Sequence, residues 1–175
     1  GEALAMELAA QGAHLLLHGR RAGALERLRK ELPHPERHQT VSADLGSPQE
    51  RARLLQHPAL DEGLDVLINS AGCNQFAWLE DQSGEQVTRQ VLLNIEAPIQ
   101  LTRALLPRLR KPAIIMNVGS SLGAIGFAGY SVYCASKFAL RGFSEALGRE
   151  LEGSGIKVIH FAPRATRTLL NSEAA

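Results

Sequence analysis

Hydrophobic and polar positions alternate along this chain with two periods, one of helices and one of buried strands. Glu2–Gln11 is rich in Ala and Leu without a breaker, and Gly12 follows where a helix commonly ends. Ala13–His18 is a short apolar run closed by Gly19, the pattern of a buried strand. Leu25, Leu28 and Leu32 recur at the spacing of one helix face, so a helix is predicted over Ala22–Leu32, stopped by Pro33. Thr40–Leu45 reads as a strand. Ser47 then stands as an N-cap with Pro48 at the first helical position, opening a helix to about Gln56.

Further along, Leu64–Asn69 (LDVLIN) is a continuous apolar strand that ends in the turn-prone Ser70-Ala71-Gly72. Glu85 to Leu109 is helical in character, and Pro98 within it predicts a bend rather than a stop. Ala113–Val118 is another buried strand, followed by a loop of small residues from Gly119 to Gly129. Ser131–Leu151 reads as a helix, Gly153–Gly155 as a turn, and Ile156–Phe161 as the last strand, closed by Pro163. There is no repeat, linker or low-complexity stretch. Apolar strands alternating with helices predict an α/β fold whose doubly wound parallel sheet is covered on both faces. Ligands of such sheets sit beyond the carboxyl ends of the strands. That rule selects Gly19-Arg20-Arg21, Asp44, Asn69–Gly72, Ser120-Ser121 and Pro163–Thr168 as the places to look for chemistry.

Composition narrows the choice of function. The chain has 175 residues, enough for one domain; 19 Lys and Arg against 18 Asp and Glu leave a net charge of +1. That balance gives no field that would favour nucleic acid or an anionic membrane. Hydrophobic residues at 45% and charged ones at 21% exclude a disordered chain, and no apolar run approaches the roughly 20 residues of a membrane span. Cys73 and Cys134 are too few for a disulfide framework and have no metal spacing. With no secretion signal at its start, a reduced cytoplasmic protein is expected.

Tyr133 and Lys137 lie four residues apart, on one face of the predicted helix. An ammonium beside a phenol stabilises the phenolate and is expected to pull the tyrosine below its reference value of about 10. Such a tyrosine can give a proton to a carbonyl oxygen or take one from an alcohol. The bland alternative is a ring packed in the core and a solvated lysine. Other histidine and cysteine readings are weaker. His14 and His18 share a strand face but lie about 13 Å apart at ~3.3 Å per residue, too far for one metal. His34 and His38 sit in a Pro-flanked connection and are expected to be solvated. Cys134 is expected to behave as a small apolar residue. Ser120 or Ser136 with Lys137 lacks the turn geometry of a hydrolase nucleophile.

The company of Tyr133 and Lys137 is specific. Ser120 stands thirteen residues before Tyr133 at a strand end, Asn94 lies in the preceding long helix, and Asn69-Ser70-Ala71-Gly72 closes the strand before that. With IIMNVGSSLGAIGFAGYSVYCASKFAL from Ile114 to Leu140, the chain resembles the short-chain dehydrogenase/reductase family from Gly1 to about Thr168. The resemblance implies a Rossmann-like fold and an oxidoreductase that interconverts a carbonyl and an alcohol with NADP(H). By position, Tyr133 would be the general acid/base. Lys137 would lower its pKa and hold the nicotinamide ribose. Ser120, with Ser121 as its rival, would bind the reacting oxygen, and Asn94 would hold a water chain to Lys137. Asn69, Ala71 and Gly72 match the motif that supports the sheet beside the adenosine part of the cofactor, and Asp44 the acidic residue beside adenine. Relatives that prefer NAD carry a carboxylate after the second strand; here Arg20 and Arg21 stand there, suited to a 2′-phosphate, so NADP is expected over NAD.

Two departures from the family pattern stand out. Pro163-Arg164 replaces the usual Pro-Gly in the loop expected to hold the nicotinamide amide, where Thr166 and Thr168 would also contact cofactor; Arg164 is expected to face solvent. Gly1 matches the last glycine of the phosphate-binding turn, so the chain is expected to be an incomplete domain, a middle piece lacking the first strand and the C-terminal elements. Substrate identity would reside after Thr168. A homodimer or homotetramer built on the helices around Asn94 and Tyr133 is expected, with a small-molecule carbonyl or alcohol as substrate. The alternative from another class is an inactive relative that retains the fold and its oligomer contacts.

Overall fold

The computed structural model describes residues 1–164, so Thr166 and Thr168 lie outside the described residues. Two compact units divide the chain, Gly1–Gly63 and the part from Leu64 onward. In the first, α1 (Glu2–Ala10), β1 (Leu16–Gly19), α2 (Ala22–Glu31), β2 (Gln39–Ser42) and α3 (Pro48–Leu54) follow in order. Gly12 at φ +87 turns the chain out of α1, as its place after the helix predicts. β1 and β2 pair in parallel, Leu16 opposite Gln39 and Gly19 opposite Ser42. Ala5, Ala9, Leu17, Leu25 and Leu32 form the core of this unit, so the leucine spacing of α2 does mark its buried face. Ser47 accepts a hydrogen bond from the Glu50 amide, the cap its position promised.

His38 corrects an expectation. Rather than being solvated it is buried, accepting from the Leu15 amide through Nδ1 at 3.2 Å while Nε2 meets the Pro33 carbonyl at 2.8 Å. One ring thus meets a donor before β1 and an acceptor before β2. His34, at φ +55, is exposed as expected.

The second unit holds β3 (Leu64–Asn69), α4 (Gly84–Val91), α5 (Ala97–Leu105), β4 (Leu109–Val118), α6 (Ser131–Glu150) and β5 (Ile156–Phe161). Its three strands run parallel in the order β3-β4-β5, with Ile115 opposite Leu67 on one side and Val158 on the other. Pro98 does not stop the helix. The backbone instead widens into a π turn over Leu92–Glu96 between α4 and α5. A proline at position 98 has no N–H to offer the Asn94 carbonyl and its ring crowds that carbonyl, and the wider turn absorbs both defects. β4 starts at Leu109, earlier than its apolar run, because Leu109 pairs with Leu64.

Leu109, Ala113, Ile115, Leu147 and Ile156 form the core of this unit, with Phe143 and Leu67 packed against it. A fully buried side chain such as Ile115 contributes about 1.5–3 kcal/mol. Alternate residues of β4 stay half-buried, and Val66 and Phe161 are 42% and 47% exposed. The parallel strands alternating with helices are the α/β arrangement that the apolar runs predicted.

Candidate active site

Asn94, Ser120, Tyr133 and Lys137 all belong to the second unit. Strand β4 delivers Ser120 just past its carboxyl end, and the first turns of α6 carry Tyr133 and Lys137. The Ser120 hydroxyl favours the phenolate form of Tyr133, and its Oγ accepts the Leu122 amide at 3.2 Å. Ser121 is exposed, and its amide donates to the Pro163 carbonyl at 3.2 Å, so the phenol's partner is Ser120. Lys137 Nζ lies 5.6 Å from the centre of the Tyr133 ring and donates to the Val118 carbonyl at 3.0 Å.

The pKa directions differ from the simple charge argument. Burial pushes the Tyr133 phenol up, against the hydrogen bond from Ser120, which favours the phenolate. Lys137, only 5% exposed, falls from 10.5 to about 8 because its ammonium is stripped of water. Desolvation outweighs attraction here, since the carbonyl of Val118 rather than the phenol is the lysine's hydrogen-bond partner.

Asn94 sits in the π turn, fully buried, and clamps the loop after β3. Its Oδ1 accepts the Cys73 amide at 2.9 Å, and its Nδ2 donates to the Cys73 carbonyl at 2.8 Å and to Ser136 Oγ at 3.0 Å. Ser136 in turn donates to the Tyr133 carbonyl at 2.7 Å. Both amide hydrogens of Asn94 are thus engaged by protein acceptors, and the residue ties the Cys73 loop to the start of α6. Cys134 is buried, as an apolar residue should be.

A second network stands under the site. Asn69 Nδ2 donates to Thr102 Oγ1 at 3.0 Å and to Asn117 Oδ1 at 2.8 Å. Asn117 donates to Ser144 Oγ at 2.9 Å, and Ser144 to the Leu140 carbonyl at 2.7 Å. These bonds fasten α5, β3, β4 and α6 together, which accounts for Asn69 as a supporting residue. Thr102, Asn117 and Ser144 escaped sequence reading, and Ser136 was weighed there only as a hydrolase nucleophile. Only Asn117 left a signal, as the one polar residue within IIMNV.

A β-carbon added at Gly72 would lie 3.1 Å from Asn94 Oδ1 and 3.7 Å from Lys137 Nζ, so this glycine keeps backbone close to both. Ala71 beside it is exposed. Pro163 is half-buried and Arg164 exposed, the latter as expected. In the first unit, Gly1 caps α1 and is exposed, its carbonyl accepting the Ala5 amide at 2.9 Å. Arg20 and Arg21 are exposed at the carboxyl end of β1. Asp44 forms a turn in which Oδ1 accepts the Gly46 amide at 2.9 Å, while its own amide donates to Glu50 at 2.7 Å. No cluster of metal-ligating side chains occurs among the described residues, and no described helix is long and apolar enough to cross a membrane.

The profile of the family described as short chain dehydrogenase matches residues 1–175. The chain belongs to the short-chain dehydrogenase family. Nodulation protein G of Rhizobium sp. (strain N33) is 37% identical over 169 residues, covering 93% of this chain and 67% of the relative. A short-chain dehydrogenase from Streptomyces avermitilis is 33% identical with a TM-score of 0.86, covering 97% of this chain and 64% of that one. A metagenomic short-chain oxidoreductase solved in complex with NADP is 26% identical with a TM-score of 0.84, covering 95% and 77%. The chain spans as little as 54% of the length of the curated relatives it matches.

Proposed function

We propose that this member of the family acts in an NADP(H)-dependent oxidoreductase that interconverts a carbonyl and an alcohol, with Tyr133 as general acid/base. The Tyr133 ring with the buried Lys137 Nζ 5.6 Å from its centre, and Ser120 acting on its phenol, carries the reading. The cradle at Gly72, which a β-carbon would fill, and the amine of Lys137 beside it fit a nicotinamide nucleotide. When bound, that cofactor supplies or accepts the hydride.

A phenol held above its usual value keeps its proton near neutral pH, so Tyr133 is poised to protonate an oxygen that gains negative charge. Ser120 donates to the same oxygen and holds it against the phenol. Lys137, titrating near pH 8, returns a proton to Tyr133 close to the working pH. Asn94 acts as a positioning residue that sets the Cys73 loop and the α6 start. The paired, exposed guanidinium groups of Arg20 and Arg21 suit a 2′-phosphate, which favours NADP over NAD. Asp44 and Gly1 in the first unit and Asn69, Ala71, Gly72, Pro163, Thr166 and Thr168 complete the proposed cofactor contacts. Exposed Val91 on α4 and Phe138 on α6 give those helices apolar surface for a homodimer or homotetramer.

The test is carbonyl-dependent oxidation of NADPH by the protein and by its Tyr133→Phe variant. Loss of at least a hundred-fold in kcat with little change in NADPH binding is expected, the range of ~10²–10⁴ for a missing acid/base. Equal turnover by the variant would refute the role of Tyr133, and no turnover by the parent on a broad carbonyl panel would favour an inactive relative. Replacing Arg20 and Arg21 together by Ala should weaken NADPH far more than NADH; unchanged NADPH affinity would end the argument for NADP.

A further inference from the structure

Aromatic residues make up only 5% of this chain, eight in all, yet Phe76, Trp78, Phe127, Tyr130 and Tyr133 gather on two loops and the start of one helix. The core of the second unit uses aliphatic side chains instead, apart from Phe143 at its edge. Tyr130 is the hub. Its ring centre lies 5.0 Å from Phe76, 6.2 Å from Phe127 and 5.9 Å from Tyr133, each at a tilted angle. Those are the separations at which aromatic rings attract one another.

The cluster is built rather than incidental. The Ala77 amide donates to the Gly129 carbonyl at 3.0 Å, fastening the loop after β3 to the loop before α6. Gly129 adopts φ +79, and a β-carbon there would fall 2.5 Å from Phe76 Cε2. Only glycine permits both that backbone and that ring. Phe76 and Phe127 are nevertheless 50% and 59% exposed, so among the described residues their rings keep open faces. A held apolar surface that ends on a reactive phenol is the form of a ligand bed.

We propose that Phe76, Phe127 and Tyr130 receive a planar aromatic portion of the substrate and bring its carbonyl or alcohol oxygen to Tyr133. The inference rests on Tyr133 being the reacting group and adds the substrate class, an aryl carbonyl or aryl carbinol rather than an aliphatic one. Ring faces discriminate by quadrupole and flat contact, which a saturated ring of the same carbon skeleton cannot match.

The experiment compares 2-acetylnaphthalene with its fully saturated counterpart. Binding is followed by fluorescence of Trp78, the single tryptophan, and turnover is followed with NADPH. The aryl ketone should bind on the order of ten-fold tighter, two or three ring contacts supplying the difference. Phe76→Leu and Phe127→Leu keep apolar bulk and remove a ring, and each should reduce the preference at least three-fold. Phe127 is more than half exposed, so its variant is expected to fold even if Phe76→Leu does not. Equal binding of the two ketones, no binding, or a preference that both variants leave intact would overturn the proposal, whether or not turnover is seen. A preference that the variants erase, without any NADPH oxidation, would uphold the ring bed and instead defeat the oxidoreductase reading of Tyr133.

Discussion

Lys137 shows how one buried charge sets conditions for its neighbours. Its stem and ammonium lie between β4 and α6, and its hydrogen bond to Val118 does not replace the lost water. Folding depresses this amine from 10.5 to about 8, so the folded protein binds the proton less tightly than the unfolded chain. The resulting penalty is fully present below about pH 8 and is relieved as pH rises from there towards 10.5. Lys137→Met should accordingly be more stable than the parent at pH 7, by about 2 kcal/mol after allowing for the lost hydrogen bond. The gap should close between pH 8 and 10 in urea unfolding followed by circular dichroism. A gap independent of pH would show that the amine is not desolvated as described. The tyrosine beside it teaches the same lesson in reverse. Its spacing to Lys137 was plain in the sequence, but the direction of its pKa depended on burial, which spacing does not reveal.

At the scale of elements, the carboxyl end of the β3-β4-β5 sheet is a set of close approaches. β5 brings His160 against the turn after β4, and a β-carbon on Gly119 would lie 2.1 Å from His160 Nε2. That nitrogen is buried without a hydrogen-bond partner among the described residues, and desolvation first, then Arg141, holds the imidazole below its usual value. The Gly119 amide meanwhile pairs with the Phe161 carbonyl at 2.7 Å, which keeps the turn from moving away. Gly119→Ala should therefore destabilise by about 1–3 kcal/mol through overpacking. In a His160→Ala background the same substitution should cost almost nothing, a coupling that a double-mutant cycle measures directly. Additive effects of the two changes would mean that the ring and the turn do not compete for space. Strands β3 and β5 have the limits their apolar runs predicted, whereas β1 loses Ala13–Leu15 and β2 begins one residue early and ends three residues early. Short strands take their limits from the partner's register, which the local pattern does not contain.

For the whole molecule, the two compact units, each containing a hydrophobic cluster of its own, are expected to differ in stability. The first has four-residue strands in a two-stranded sheet, an arrangement that is marginal without helix packing. The second has three strands and a network of buried amides and hydroxyls. Amide hydrogen exchange should protect β4 and β5 more strongly than β1 and β2, by about ten-fold or more if their opening free energies differ by ~1.4 kcal/mol. Equal protection across both sheets would show one cooperative body.

Read by itself, the order of apolar runs, caps and breakers determined the α/β class. The spacing of Asn94, Ser120, Tyr133 and Lys137 determined the family resemblance, which the family profile bore out. These features were legible because periodicity and motif spacing are local properties of the chain. Tertiary structure alone decided the rest: that His38 is buried, that Asn94 clamps Cys73, that Asn117 joins Asn69 to Ser144, and that scattered aromatic residues converge on Tyr130 beside Tyr133. Each of these depends on which distant side chain excludes water from which polar group, and only folding sets that distance.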